Sequence, residues 1–366
     1  MRYPRHSKNP TTVVVSAGNT SGYHLPRPGG RGTKALSILV IHLLMAVSVA
    51  GQIGFTRITD LVYGETECYR TSYPYPNTID VGEIIAPLIS EAYFNRPEIH
   101  ELTLDLYLPS SRTSASPLLV LAHDGAFQIG DKGDPFMQYL AESLARHGVV
   151  VASVNYGLGF QVSKAKALGA IHTAVQNIRG AIRFLLSKKE EYGINPERIY
   201  VGGVSAGGIA ALTTAFLEEG EYPDFVRDQL AGSQFFECLD CNTNRIKHPF
   251  TVYGVISMWG GVTDIQIVDN QIQTLLIHGN EDMTVPYAYG YPFETLGFHN
   301  KSSGRLIFDP VYGSKRIKDQ LGEHATLVTL QGKPHSPQYV KGKNELNMEV
   351  AASILGYISS FISKQK

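Results

Sequence analysis

The sequence predicts an α/β fold: a mostly parallel, doubly wound central sheet with helices on both faces. Short continuous apolar runs recur at Leu118–Leu121, Val149–Val154, Ile199–Val201, Val252–Ile256, Leu275–Ile277 and Leu327–Leu330, and strands apolar on both sides suit a sheet covered on both faces. Segments with helical spacing fall between most of them, the alternation that builds parallel sheets. The chain is also large enough, since 366 residues, 43% hydrophobic and 18% charged, supply one sizeable core.

In chain order, residues 1–50 read first as a leader. Arg2, Arg5, Lys8, Arg27, Arg31 and Lys34 precede the apolar run Ala35–Ala50, no acid lies in this head, and the run closes on the small residues Ser48 and Ala50. That is the pattern of a signal peptide cleaved near Ala50. The run is shorter than the roughly 20 residues that span a bilayer, so the expectation is a secreted or periplasmic protein with no stable membrane span in its mature form. A membrane-anchored form and an organellar presequence are the alternatives, because the basic head is longer than a usual n-region. The rest of the chain keeps 26 basic residues against 33 acidic ones, and a mildly acidic body carries no electrostatic footprint for nucleic acid.

The body, residues 53–366, opens on a Tyr- and Pro-rich stretch without a strong period. Leu102, Leu104, Leu106 and Leu108 then alternate with Thr103, Asp105 and Tyr107, which predicts a half-buried antiparallel strand near a sheet edge. A helix over 135–147 stops before Gly148, as a helix does before its C′ glycine. Residues 170–188 place Ile171, Ala174, Ile178, Ile182 and Leu185 on one side, and the last helix does the same with Leu346, Val350, Ile354, Ile358 and Phe361. The long irregular stretch within 215–250 reads as a lid or pocket-wall insertion, with a surface excursion as the alternative. Of Cys68, Cys238 and Cys241, the last two form a C-x-x-C without the further ligands a structural zinc needs. In an exported chain a local disulfide between them is expected, stabilising little through so small a loop.

The chemistry gathers on four segments. Gly203-Val204-Ser205-Ala206-Gly207 is a G-x-S-x-G between a strand-like and a helix-like run, the context of a nucleophile elbow that holds Ser205 exposed on a sharp turn. His123-Asp124-Gly125-Ala126 follows a buried strand, where small residues let backbone N–H groups approach a developing oxyanion; the expected donors are Gly125, Ala126 and Ala206. His335 follows the last strand at its carboxyl end and is the expected base, ahead of His324 at the opposite end. Asp282, in a loop after a strand, is the expected orienter of that base, with Glu281 and Asp264 as rivals. His278 reads as a loop hydrogen-bonding residue and His123 as a brace for the oxyanion turn.

Together, G-V-S-A-G, H-D-G-A-F, Asn155-Tyr156-Gly157, H-G-N-E-D-M-T-V-P-Y and the late P-H resemble the α/β-hydrolase superfamily over roughly residues 60–363. Within it the chain resembles the bacterial carboxylesterase and lipase group with an H-G-G-[GA]-type oxyanion motif. The resemblance implies an α/β-hydrolase fold and a serine hydrolase that cleaves carboxylic esters through an acyl-enzyme, with Ser205, His335 and Asp282 as the triad and no metal or organic cofactor. Two positions depart from the group: Asp124 stands where the first glycine of the oxyanion motif belongs, and Gly157 where relatives often have Arg. The first puts a carboxylate beside a site of developing negative charge. Tyr287, Tyr289, Tyr291 and Phe293 after the acid loop form a candidate aromatic mouth, suited to aryl, feruloyl or polyester substrates. A peptidase or acyltransferase on the same triad and a non-catalytic binding or adhesion module are the rival readings. Acyl length, the alcohol and the oligomeric state are open at this level.

Overall fold

A computed structural model describes residues 13–15, 54–74, 96–111, 115–161, 164–221, 238–269, 272–293, 299–300, 305–306, 309–340, 343 and 345–364. Among the described residues nine strands make the central sheet: β1 Val13–Val15, β2 Phe55–Cys68, β3 Glu98–Pro109, β4 Ser116–Ala122, β5 Val150–Val154, β6 Ile194–Val204, β7 Gly254–Met258, β8 Gln273–Gly279 and β9 Ala325–Leu330, in the spatial order β1-β2-β3-β5-β4-β6-β7-β8-β9. The six strands from β5 to β9 in that order run parallel, and β1, β2 and β3 join antiparallel at one side.

Alternate residues of the parallel strands feed two separate cores. Leu118, Val120 and Ala122 of β4 pack on one face with helices α2 (Lys164–Ser187), α3 (Ala206–Phe216) and α4 (Ser314–Leu321). Leu119 and Leu121 pack on the other with α1 (Pro135–Arg146) and α5 (Met348–Lys364). This is the two-sided cover that the continuous apolar runs predict. Helix α1 starts as its sequence dictates: the Asp134 side chain accepts from the Phe136 and Met137 N–H groups and Pro135 takes the first turn, an acceptor and a fixed φ where the helix has orphan donors. It ends at His147 and Gly148, whose φ is 87°.

Two expectations are corrected. Strand β3 is antiparallel to both neighbours and third from one side of the sheet, as expected, but it is not half-buried. Its second face is buried as well: Asp105 is closed over by Arg57 at 2.6 Å and Lys132 at 2.9 Å, and Tyr107 packs on Phe55. Helix α2 begins at Lys164 rather than near residue 170. Of the 215–250 insertion, residues 222–237 lie outside the described residues, and the described remainder is fastened to the flank of the sheet. Cys238 and Cys241 are disulfide-bonded as expected and bracket Asp240, which pairs with Arg179 at 2.5 Å and with Arg183. Thr243 bonds Asn177 and the Gln176 carbonyl of α2. None of residues 238–250 lines the cavity at Ser205. Of residues 1–50, only Val13–Val15 are described, paired with Thr56–Ile58; the rest of the expected leader lies outside the described residues.

Candidate active site

Ser205 sits between the end of β6 and the start of α3 with φ 52° and ψ −114°, dihedrals that cost strain in any residue with a side chain. The turn is held from both sides. The Ser205 N–H donates to the Met258 carbonyl at 2.7 Å, and a Cβ at Gly207 would lie 2.1 Å from the Ala122 carbonyl oxygen. The second glycine of the pentapeptide is therefore dictated by the close approach of β4. Ala206 is the first residue of α3, so its N–H has no partner within the helix.

The loops that carry Asp282 and His335 leave adjacent strand ends, since Gly279 of β8 lies opposite Leu330 of β9. Asn280 stitches them together, donating to Gln331 Oε1 at 2.8 Å and accepting from the Gly332 N–H at 2.7 Å. The result is a continuous chain: His335 Nδ1 lies 2.7 Å from Asp282 Oδ2, and His335 Nε2 lies 2.9 Å from Ser205 Oγ. The three side chains expected to act together are brought together.

Asp282 is buried and its acceptor capacity is filled. Oδ1 accepts from the Thr284 and Val285 N–H groups at 2.8 and 2.9 Å, while Oδ2 receives His335 and, at 3.1 Å, Nε2 of His278. Burial acts to raise its pKa, but the two histidines and their hydrogen bonds outweigh burial and hold the carboxyl well below the usual range. Asp282 is thus an anion that fixes a proton on His335 Nδ1 and leaves Nε2 to accept from the serine. The rivals are elsewhere: Glu281 is exposed, Asp264 caps a short 3₁₀ turn at Ile265–Ile267, and His324 lies at the far end of β9 near Gln273.

In the loop expected to bind the oxyanion, Gly125, Ala126 and Phe127 carry φ of 107°, 54° and 59° in succession. Gly125 makes the turn, its carbonyl accepting from the Gln128 and Ile129 N–H groups, and a Cβ there would lie 2.0 Å from the Ile129 carbonyl oxygen. Ala126 and Ala206 line the cavity beside Ser205; Gly125 is not among its lining residues. His123 braces this turn from behind, with Nδ1 2.7 Å from the Asp124 carbonyl and its ring stacked on Tyr156 at 4.3 Å. Burial drives its pKa down to about 4, so it is neutral and its Nδ1–H donates. The Asp124 charge is felt by Asp134, the N-cap of α1, whose carboxylate accepts from Tyr339 Oη at 2.6 Å. Burial first, then Asp124, push the Asp134 carboxyl up to about 7 against the pull of its donors.

The cavity beside Ser205 has a volume of about 30 Å³. Phe127, Ile171, Ile209, Phe293 and Val311 form apolar walls. Val311 is delivered by a small antiparallel sheet of Gly261–Val262, Val311–Gly313 and Tyr289–Gly290. Of the four aromatics expected at the mouth only Phe293 lines this cavity. Tyr287 turns inward, with its hydroxyl 2.6 Å from Thr329 Oγ1 and its ring edge-on to His278, while Tyr289 is exposed beside Tyr312. Sequence reasoning missed the contact of His278 with Asp282; the i, i+4 spacing of the two within H-G-N-E-D was its signal. Among the described residues no group of three or more His, Cys, Asp or Glu side chains is placed to hold a metal ion, and no helix is long and apolar enough to cross a membrane.

Residues 104–273 match the BD-FAE family. The chain is 24% identical to a probable isoprenylcysteine alpha-carbonyl methylesterase, ICMEL1, of Arabidopsis thaliana, over 97% of this chain and 74% of that protein. It is 37% identical to a probable ICMEL1 of Oryza sativa subsp. japonica over 32% of this chain, which spans only 27% of the rice protein. A solved structure of a thermophilic esterase from Thermogutta terrifontis, Est2 with propionate bound, covers 72% of this chain and 90% of its own at 18% identity, with a TM-score of 0.47.

Proposed function

We propose that this chain, an α/β-hydrolase, is a serine carboxylesterase working through an acyl-enzyme. Ser205 attacks the ester carbonyl while His335 Nε2 takes its proton; the imidazolium, stabilised by Asp282, returns that proton to the departing alcohol, and water repeats the sequence to release the acid. The oxyanion is assigned to the Ala126 and Ala206 N–H groups, with Gly125 setting the turn that presents Ala126. The observation that carries this reading is the unbroken Asp282–His335–Ser205 hydrogen-bond chain opening on a cavity. Similarity to methylesterases supports ester over amide cleavage.

The cavity also suggests the acyl group. A small cavity with apolar walls favours a short acyl chain, with the larger part of the substrate in its alcohol. Hydrolysis of a p-nitrophenyl ester series tests both statements. The expectation is highest kcat/KM on the two- and three-carbon esters and background rates for Ser205→Ala; equal inactivity of wild type and Ser205→Ala across the series refutes the reading. Export with cleavage near Ala50, which removes β1 and leaves the sheet to run from β2 to β9, is part of the proposal, supported by the acid-free basic head and the apolar run. N-terminal sequencing of the mature protein checks it, and an intact Met1 in a membrane fraction rejects it.

A further inference from the structure

His278 is fully buried at the end of β8, and the reaction as written gives it no task. Its surroundings fix its protonation. Nε2 lies 3.1 Å from Asp282 Oδ2 and 3.0 Å from the Val285 carbonyl oxygen. An ionised carboxylate and a carbonyl only accept, so Nε2 carries a proton. Nδ1 lies 2.8 Å from Ser314 Oγ at the start of α4, a hydroxyl able to donate to it. Asp282 Oδ2 therefore receives two imidazole N–H groups, one from each side, while Oδ1 is held by backbone.

We propose that His278, on the serine-esterase reading above, is a positioning residue for the acid: its Nε2–H, set by the Ser314 hydroxyl, holds the Asp282 carboxylate in the orientation that receives His335. Two consequences separate this from plain packing. Backbone holds Oδ1 at one point, and without His278 the other oxygen loses its second anchor and the His335–Ser205 geometry loosens. The donors also compete, because two N–H groups sharing one oxygen each see less of its charge. With His278 gone that oxygen belongs to His335 alone, the imidazolium is favoured, and the acid limb of the rate profile moves to higher pH.

The other groups around His278 leave this competition as the main electrostatic effect. Tyr287 meets it edge-on at 5.6 Å and is tied to Thr329, the residue opposite His278 on β9. The neighbouring charges of α4, Lys315 and Asp319, pair with each other on its exposed side. Asp282 and, across its carboxylate, His335 are the titratable partners that remain.

The test is steady-state kinetics of the full chain on p-nitrophenyl acetate from about pH 5 to 9, with active sites counted by a fluorophosphonate that labels Ser205. Loss of one hydrogen bond to a buried charge predicts that His278→Leu lowers kcat about 10- to 100-fold with KM changed less than about threefold and the acid limb moved upward. His278→Gln, which keeps an N–H at the position of Nε2, restores most of the rate, and Ser314→Ala falls between the two. Wild-type kcat per labelled site and an unmoved acid limb in His278→Leu overturn the proposal. Should that variant not fold, an unmoved kcat and acid limb in Ser314→Ala overturn it instead. A wild type that neither hydrolyses esters nor takes the label counts against the assignment of Ser205, whereas active wild type, inactive Ser205→Ala and unaltered His278→Leu count against His278 alone.

Discussion

Replacing Asp282 by Asn tests the proposed proton path with little change of shape. The native carboxylate accepts two backbone N–H groups on Oδ1 and two imidazole N–H groups on Oδ2. An amide has one acceptor end, and the main-chain donors of Thr284 and Val285 cannot change sign, so they keep the oxygen. The NH₂ end then faces His335 Nδ1, which must turn acceptor; the ring takes the Nε2–H tautomer and can no longer accept the Ser205 proton. A wrong tautomer in intact geometry costs about 10⁴ in kcat, about 5 kcal/mol of transition-state stabilisation. Short-ester hydrolysis near pH 8 reads the rate, and thermal unfolding checks that the fold survives. Glu281→Gln, one position away and exposed, is expected to stay within about twofold of wild type. A loss under about tenfold in Asp282→Asn, or a large loss in Glu281→Gln, refutes the assigned acid.

Phe293→Ala removes a wall of the 30 Å³ cavity and is expected to move the best acyl chain to a longer ester in the same series; an unchanged optimum rejects that cavity as the acyl site. Asp240→Ala strips Arg183, which is buried, of its carboxylate while leaving only the Asn242 carbonyl bond. Because Asp240 itself is partly exposed, the expected loss is about 2 kcal/mol in urea unfolding, and a change within experimental scatter contradicts it. Asp134 gives a pH signature. Its folded carboxyl, pushed to about 7 by burial and by Asp124, titrates above the roughly 3.9 of an unfolded chain, so this stabilisation is complete below about pH 4 and is lost as pH rises through 7. Asp134→Asn keeps the N-cap acceptor and should gain on wild type by about 2 to 3 kcal/mol between pH 5 and 8; a difference constant with pH refutes it.

The parallel strands and the three central side chains were legible because each rests on a local pattern. Runs such as Leu118–Leu121 are apolar on both faces since both faces are covered, and Ser205, Asp282 and His335 each follow such a run in a turn-forming segment. Strand β2 left no such trace. Its pairing with β3 slips between Ile58 and Leu61 and again between Val62 and Gly64, and each slip resets an alternation that a period of two must keep. Strand β3 read as half-buried because Asp105 looks solvent-facing; its cations, Arg57 and Lys132, come from elsewhere in the chain. The same holds for Asp134, whose partner Tyr339 lies 205 residues away, and for the loop around Asp240, fastened to α2 by residues near position 180. Polar partners at such distances follow no sequence period, so only the folded chain shows them.

What makes the site workable is that its spacing belongs to the sheet. His335 follows β9 and Ser205 follows β6, three strand positions apart, about 14 Å at the usual inter-strand spacing. Side chains alone do not bridge that gap. The His335 loop is drawn back toward β8 by backbone contacts, the Glu281 N–H to the Lys333 carbonyl at 3.1 Å and the Asn280 N–H to that of Leu330 at 3.3 Å. From the other side β7 anchors the elbow through Met258, and the Trp259 N–H then reaches the Ile277 carbonyl of β8 at 2.9 Å. Main-chain bonds thus link the Ser205 loop to the Asp282 loop and the Asp282 loop to the His335 loop. The imidazole has only the last step to span, where its two nitrogens meet a hydroxyl and a carboxylate already in place. Such bonds do not depend on the side chains of Ser205 and His335, and Asp282→Asn keeps the oxygen that the Thr284 and Val285 N–H groups require, so the substitutions proposed at these positions are aimed at the chemistry, with thermal unfolding as the check on folding.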